Sequence, residues 1–170
     1  ETLKTRRSWR HSCRRETGSY NHGNDHRERR KPDVRRGPRH AAALALVWLL
    51  TGDTGAADKA VARLVDYEDP GLVDTFHVYG RLTEFGLAYD WLYNYEGFTD
   101  EAKARARQRI MPLAERGMRM SHDHMFHNYV WMSAGGTALW AMAIAGDSQE
   151  SNELFENIRQ RFNNGLFPAM

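Results

Sequence analysis

From residue 40 onward, apolar side chains recur at steps of three and four, the spacing that places residues on one face of a helix. No stretch alternates as a half-buried strand would. His40–Leu50 reads as a short apolar helix stopped by Thr51-Gly52-Asp53, with Gly52 in the usual C-terminal place. Gly55–Tyr67 follows, with Ala57, Val61, Leu64 and Val65 on one face, before Asp69-Pro70-Gly71 breaks the chain. Leu72–Asn94 carries Leu72, Phe76, Tyr79, Leu82, Phe85, Tyr89 and Tyr93 at helical steps. Thr99 is placed to cap the next helix, with Asp100 and Glu101 in its dipole-favoured first turn. That helix is predicted to run to about Met120 and to kink at Pro112. Asn128–Ala145 is apolar almost all round, which predicts burial, and it ends at Gly146-Asp147. A polar helix, Ser148–Asn164, closes the pattern.

The pattern repeats. Leu44–Thr51, then Gly52-Asp53, then an amphipathic helix matches Ala138–Ala145, then Gly146-Asp147, then another such helix. Leu87–Asn94, a short turn and the helix from Thr99 form a third copy with a different turn. Each unit is an apolar inner helix, a tight turn and a more polar outer helix. The predicted fold is all-α, built of α/α hairpin repeats that make an α/α solenoid or part of an α/α toroid.

Charge divides the chain in two. Residues 1–39 hold 13 Lys+Arg against 5 Asp+Glu, a net of +8, whereas residues 40–170 hold 11 against 17, a net of −6. The overall +2 describes neither part. A basic footprint for nucleic acid over the whole protein is therefore excluded, and no nucleic-acid partner is predicted. The first 39 residues are Arg-rich, with Leu3 and Val34 almost the only aliphatic side chains. Such a segment cannot bury enough apolar area to offset its chain entropy, so it is predicted to be a disordered arm. Its abrupt switch to Ala/Leu-rich helix at His40 also fits a stretch translated from the wrong frame. Cys13 is the sole cysteine, which excludes an internal disulfide framework and a Cys-based zinc site. The longest apolar run, Ala41 to Leu50, is too short to span a membrane. The chain starts at Glu1 without Met and stops at Leu166-Phe167-Pro168-Ala169-Met170, which reads as a fragment of a longer parent.

Candidate chemistry concentrates in two segments. In Ser121–Trp131, His122, His124 and His127 fall within six residues, but without H-E-x-x-H spacing they do not define a metal site, and no cofactor is predicted. Asn128 opens the buried helix, where it either caps the helix or joins the free N–H groups in holding an anion. His127 adds a donor beside it, while Tyr129 and Trp131 offer flat faces for a sugar ring or simply pack. The second segment, Ala88–Tyr95, sets Asp90 and Trp91 in an aromatic run at a helix C-terminus, a poor place for an acid unless a partner holds it. His77, Arg81 and Glu84 share one stripe at i, i+4 and i+7, as a solvated face or a cleft wall, with Tyr79 close by. Gly135-Gly136 is assigned to close helix packing.

Ala45-Leu46-Val47-Trp48-Leu49-Leu50-Thr51-Gly52-Asp53, Ala88-Tyr89-Asp90-Trp91-Leu92-Tyr93, and His127-Asn128-Tyr129 through Ala143-Ile144-Ala145-Gly146-Asp147 together resemble the N-terminal helical domain of heparinase II/III-type polysaccharide lyases. Alginate lyases and uronate epimerases share the same plan. The resemblance covers residues 40–170 and none of the arm. It implies a helical toroid followed by β-sheet domains, in a secreted or periplasmic enzyme that cleaves acidic polysaccharide by β-elimination. Asn or His neutralises the uronate carboxylate and a Tyr or His removes the adjacent proton, so fixed donors meet the developing charge. His127 and Asn128 match the neutralising position, and Tyr79, Arg81, Asp90, Trp91, Tyr129 and Trp131 are the implied cleft residues. The family's catalytic Tyr belongs to a later helix, which predicts that this fragment alone is inactive. Two other readings stay open: a non-catalytic helical-repeat binding scaffold, and a glycoside hydrolase on a similar toroid, which needs a second carboxylate opposite Asp90.

Overall fold

The computed structural model describes residues 40–71, 74–123 and 128–169. The predicted arm, residues 1–39, lies outside the described residues. Six α-helices follow in order: α1 (Ala41–Thr51), α2 (Thr54–Val65), α3 (Thr75–Leu92), α4 (Asp100–Asp123), α5 (Asn128–Ile144) and α6 (Gln149–Arg161). A π-helical turn, Phe162–Leu166, and a 3-10 turn, Phe167–Ala169, follow α6. No strand occurs among the described residues, so the all-α expectation holds.

Local chemistry sets the helix ends. Gly52 adopts φ 73° and returns its N–H to the Trp48 carbonyl at 2.7 Å, closing α1 with the left-handed turn that glycine tolerates best. The Asp53 carboxylate then accepts from the N–H groups of Gly55 (2.9 Å) and Ala56 (3.2 Å), starting α2 after a gap of two residues. Between α5 and α6, Gly146 turns at φ 93° with its N–H donated to the Asn152 side chain at 2.8 Å, and the Ser148 Oγ starts α6 by accepting from the Ser151 N–H at 3.1 Å.

Three boundaries depart from the sequence reading. α3 begins at Thr75, not Leu72, because the Asp74 carboxylate caps it by accepting from the Phe76 N–H. α4 runs through Ser121 and His122 to Asp123, residues expected in a loop. α6 ends at Arg161, three residues before Asn164, where the backbone widens into the π turn.

Residue pairs give the directions of the helices. The first N–H of α1 donates to Glu84 in the middle of α3, and Trp48 near the α1 end stacks on Tyr95 just past α3, so α1 and α3 are parallel. Phe76 meets Tyr129 at the starts of α3 and α5, and Tyr89 meets Trp140 towards their ends, so these are parallel too. α4 runs against α3, with Arg107 at Tyr89 and Gly117 against Leu82 and Val78. The result is an inner row, α1, α3 and α5, backed by α2, α4 and α6. This is the predicted array of α/α hairpins.

α3 and α5 approach closely through two glycines. A Cβ on Gly86 would stand 2.9 Å from the Leu139 carbonyl oxygen, and one on Gly136 3.0 Å from that of Tyr79. Gly135, paired with Gly136 in the packing expectation, faces open space and plays no such part. Tyr89, Phe98, Trp140, Leu82, Leu113 and Ile144 fill the core between the rows. Each fully buried side chain of this size contributes about 1.5–3 kcal/mol by area. Burial of the inner row is incomplete. Leu139 and Met142 on α5 are exposed, contrary to burial all round, and α1, which packs on α2 and α3, leaves Leu46, Val47, Leu49 and Leu50 exposed.

Candidate functional site

The structure brings some of the candidate residues together and separates others. Asn128 is the first residue of α5 and is exposed. Tyr129 beside it is exposed and meets Phe76 edge-on, with ring centroids 5.4 Å apart. Tyr79 is half-buried one turn into α3, its backbone pressed against Gly136. Asn128, Tyr129 and Phe76 share the N-terminal end of the inner row, whereas Tyr79 faces the middle of α5, about 12 Å along its axis from Asn128 at 1.5 Å per residue. Trp131 is half-buried and packs against the core. His127 lies outside the described residues, as does His124. His122 is exposed on the last turn of α4.

Asp90 and Trp91 lie at the opposite end of α3, about 16–18 Å along the axis from Tyr79 at 1.5 Å per residue. Trp91 is half-buried against the core. Asp90 is exposed and, among the described residues, has no side-chain partner. The expected cap or salt bridge is absent because water solvates the carboxylate on the open face of the inner row, the face that carries Phe76 and Gly80.

Arg81 donates to Glu84 at 3.0 Å, and Glu84 also accepts from the Ala41 N–H at 2.6 Å. Arg81 and Glu84 thus belong to a polar seam joining α3 to the start of α1. His77 Nε2, one turn earlier on α3, is buried and has no hydrogen-bond partner among the described residues. Burial, then the nearby Arg81 guanidinium, holds its pKa below the usual histidine value.

The tyrosines of the Ala88–Tyr95 segment form a second polar cluster. The Asp147 carboxylate, on the turn between α5 and α6, accepts from the hydroxyl of Tyr89, from that of Tyr93 at 3.1 Å and from Arg107 at 2.7 Å. Arg107 also donates to the Tyr89 oxygen at 2.7 Å. Burial and the bond to Asp147 push the Tyr89 pKa well above the usual phenol value, so the hydroxyl stays a donor. The cluster ties the third hairpin to the second.

Sequence reasoning missed a third feature. The loop between α2 and α3 (Tyr67, Glu68, Asp69) and one face of α4 (Arg105, Gln108, Arg109, Pro112) border an open cleft of about 730 Å³, with Glu68, Arg105, Gln108, Arg109 and Pro112 exposed. Arg105 is held by Asp66 (3.1 Å) and the Val65 carbonyl (3.1 Å), and Asp69 by Arg116 at 2.5 Å. Arg109 and Glu68 have no such partner among the described residues. The Tyr67 hydroxyl is buried and unbonded, its pKa pushed up to about 12 by burial and by Asp69. The only signal in the sequence was the i, i+3, i+4, i+7 spacing from Arg105 to Pro112, which also describes a solvated outer face.

No protein-family model, curated protein or solved structure matches this chain.

Proposed function

We propose that the hairpins form part of a toroid-type domain that binds uronate-containing polysaccharide for β-elimination, with the substrate carboxylate at Asn128. The observation that carries this reading is the grouping of Asn128, Tyr129 and Phe76 at one end of the inner row. A helix N-terminus offers free N–H groups and a partial positive charge, both suited to a carboxylate, and among the described residues α5 starts at Asn128. The Asn128 amide adds a donor, and the exposed Tyr129 and Phe76 rings offer flat faces to a sugar. Because residues 40–170 carry a net charge of −6, such local donors must supply the attraction for an acidic polymer.

Calorimetric titration of the chain with an oligouronate tests the reading. Binding weakened about tenfold by N128A, which matches the loss of one charge-assisted hydrogen bond, is expected. An oligouronate that fails to bind, or that binds N128A as tightly as the parent, overturns it. The non-catalytic scaffold is then favoured, since Arg81 and Asp147 are already engaged in bonds within the fold.

A further inference from the structure

The cleft between the α2–α3 loop and α4 lies apart from the Asn128 end of the inner row and contains side chains that the fold leaves without partners. Arg109 offers a guanidinium fork that no carboxylate of the described residues occupies. The Gln108 amide and the unpartnered Glu68 carboxylate supply further polar atoms. Tyr67 contributes an aromatic wall fixed edge-on against Phe85 at 4.8 Å. A volume of about 730 Å³ falls within the range of small-molecule sites.

The lining selects a chemical class. A single free guanidinium suits one carboxylate, in the bidentate manner of arginine. Around it, Glu68 and the Gln108 amide suit hydroxyl groups, which can both donate and accept. A compact multivalent anion fits poorly, because the carboxylates of Glu68 and Asp69 face it across the cleft.

We infer that this cleft is a second carbohydrate site, binding one carboxylated sugar unit with its carboxylate on Arg109 and its hydroxyls on Glu68 and Gln108. The choice of an acidic sugar rests on the uronate-polymer reading above. The site would hold the polymer at the outer helices while Asn128 engages it at the inner row.

The test is an NMR titration of the ¹⁵N-labelled chain with glucuronate, glucose and inorganic phosphate in turn, the Arg109 Nε–H signal being assigned by its loss in R109K. Glucuronate is expected to move the Arg109 and Gln108 side-chain signals, with glucose weaker and phosphate without effect. R109A, exposed and helix-compatible, is expected to lower glucuronate affinity at least tenfold, and N128A to leave these shifts unchanged. No shift with glucuronate, an equal shift with phosphate, or loss of the shift in N128A would each overturn the inference. Cleft shifts that persist although N128A binds oligouronate normally would sink the Asn128 reading and leave the second site standing.

Discussion

Removing the Asp147 carboxylate tests whether the third hairpin is locked to the second by charge. In D147A, Arg107 loses its ion pair, and the Tyr89 and Tyr93 hydroxyls lose their acceptor. The pair is shielded, with 8% of the Asp147 side chain and 17% of the Arg107 side chain exposed. Breaking one partner of a buried pair costs about 3–5 kcal/mol, because the remaining charge stays desolvated without compensation. The Tyr93 bond adds little, since Tyr93 is 41% exposed and water replaces the lost acceptor. The expected loss is therefore about 3–4 kcal/mol, a large part of the roughly 5–15 kcal/mol that holds a domain folded. Urea unfolding followed by circular dichroism measures it, as a fall in midpoint of about 2 M at a slope of about 1–3 kcal/mol per molar. Y89F, which keeps the ion pair and loses the hydroxyl's bonds to Asp147 and from Arg107, should cost only about 1–2 kcal/mol. A D147A loss below about 1 kcal/mol, or one equal to that of Y89F, would refute the reasoning.

The two neighbouring glycines of α5 should respond in opposite directions. G136A drives a methyl group into the Tyr79 backbone and is expected to cost about 1–3 kcal/mol, while G135A, facing open space, should gain about 0.5–1 kcal/mol in the same urea assay. His77 should make the fold acid-sensitive. Its folded pKa is depressed by burial, so the stability it gives is present above the unfolded value of 6.5 and is lost as pH falls through the folded value. Thermal melts from about pH 7 to about pH 5 should show a shallower decline for H77L than for the parent, and equal slopes would remove His77 from the account.

The features legible in the sequence were those decided within a few residues. Gly52, Asp53 and Ser148 each act on a backbone no more than four residues away, and Gly146 supplies its own left-handed turn, so the turns could be read from residue type. Hairpin repetition was legible for the same reason. The start of α3 was not, because Leu72 fits the apolar period while the cap that decides the boundary is Asp74. Long-range pairing was hidden as well. Arg107 and Asp147 are 40 residues apart, and nothing in the polar face of α4 distinguishes Arg107, half-buried in the lock, from Arg109 at the cleft. Asp90 was singled out because an acid at a helix C-terminus looks costly, yet exposure removes the cost.

The short sequence words most suggestive of a family turn out to do structural work in this fold. Tyr89 and Tyr93 come from one of them and Asp147 from another, and the structure spends all three on the lock between hairpins. The first and third hairpins have the same turn, a positive-φ glycine followed by aspartate, but they use it differently. Asp53 caps its own next helix, whereas Asp147 receives side chains from α3 and α4. The first hairpin is joined to the second instead by Tyr95, whose hydroxyl donates to Asp58 at 2.6 Å while its ring lies on Trp48. Both locks sit at the C-terminal ends of the inner helices, and Asn128, Tyr129 and Phe76 at the N-terminal ends. Separation of this kind makes the two sets of residues independently testable, since distant sites without shared partners add in free energy. D147A should lower stability while leaving oligouronate affinity unchanged wherever the chain remains folded, and N128A should do the reverse. Loss of affinity in folded D147A would mean that the lock and the binding end are coupled through α3 and α5, the pair held at fixed separation by Gly86 and Gly136.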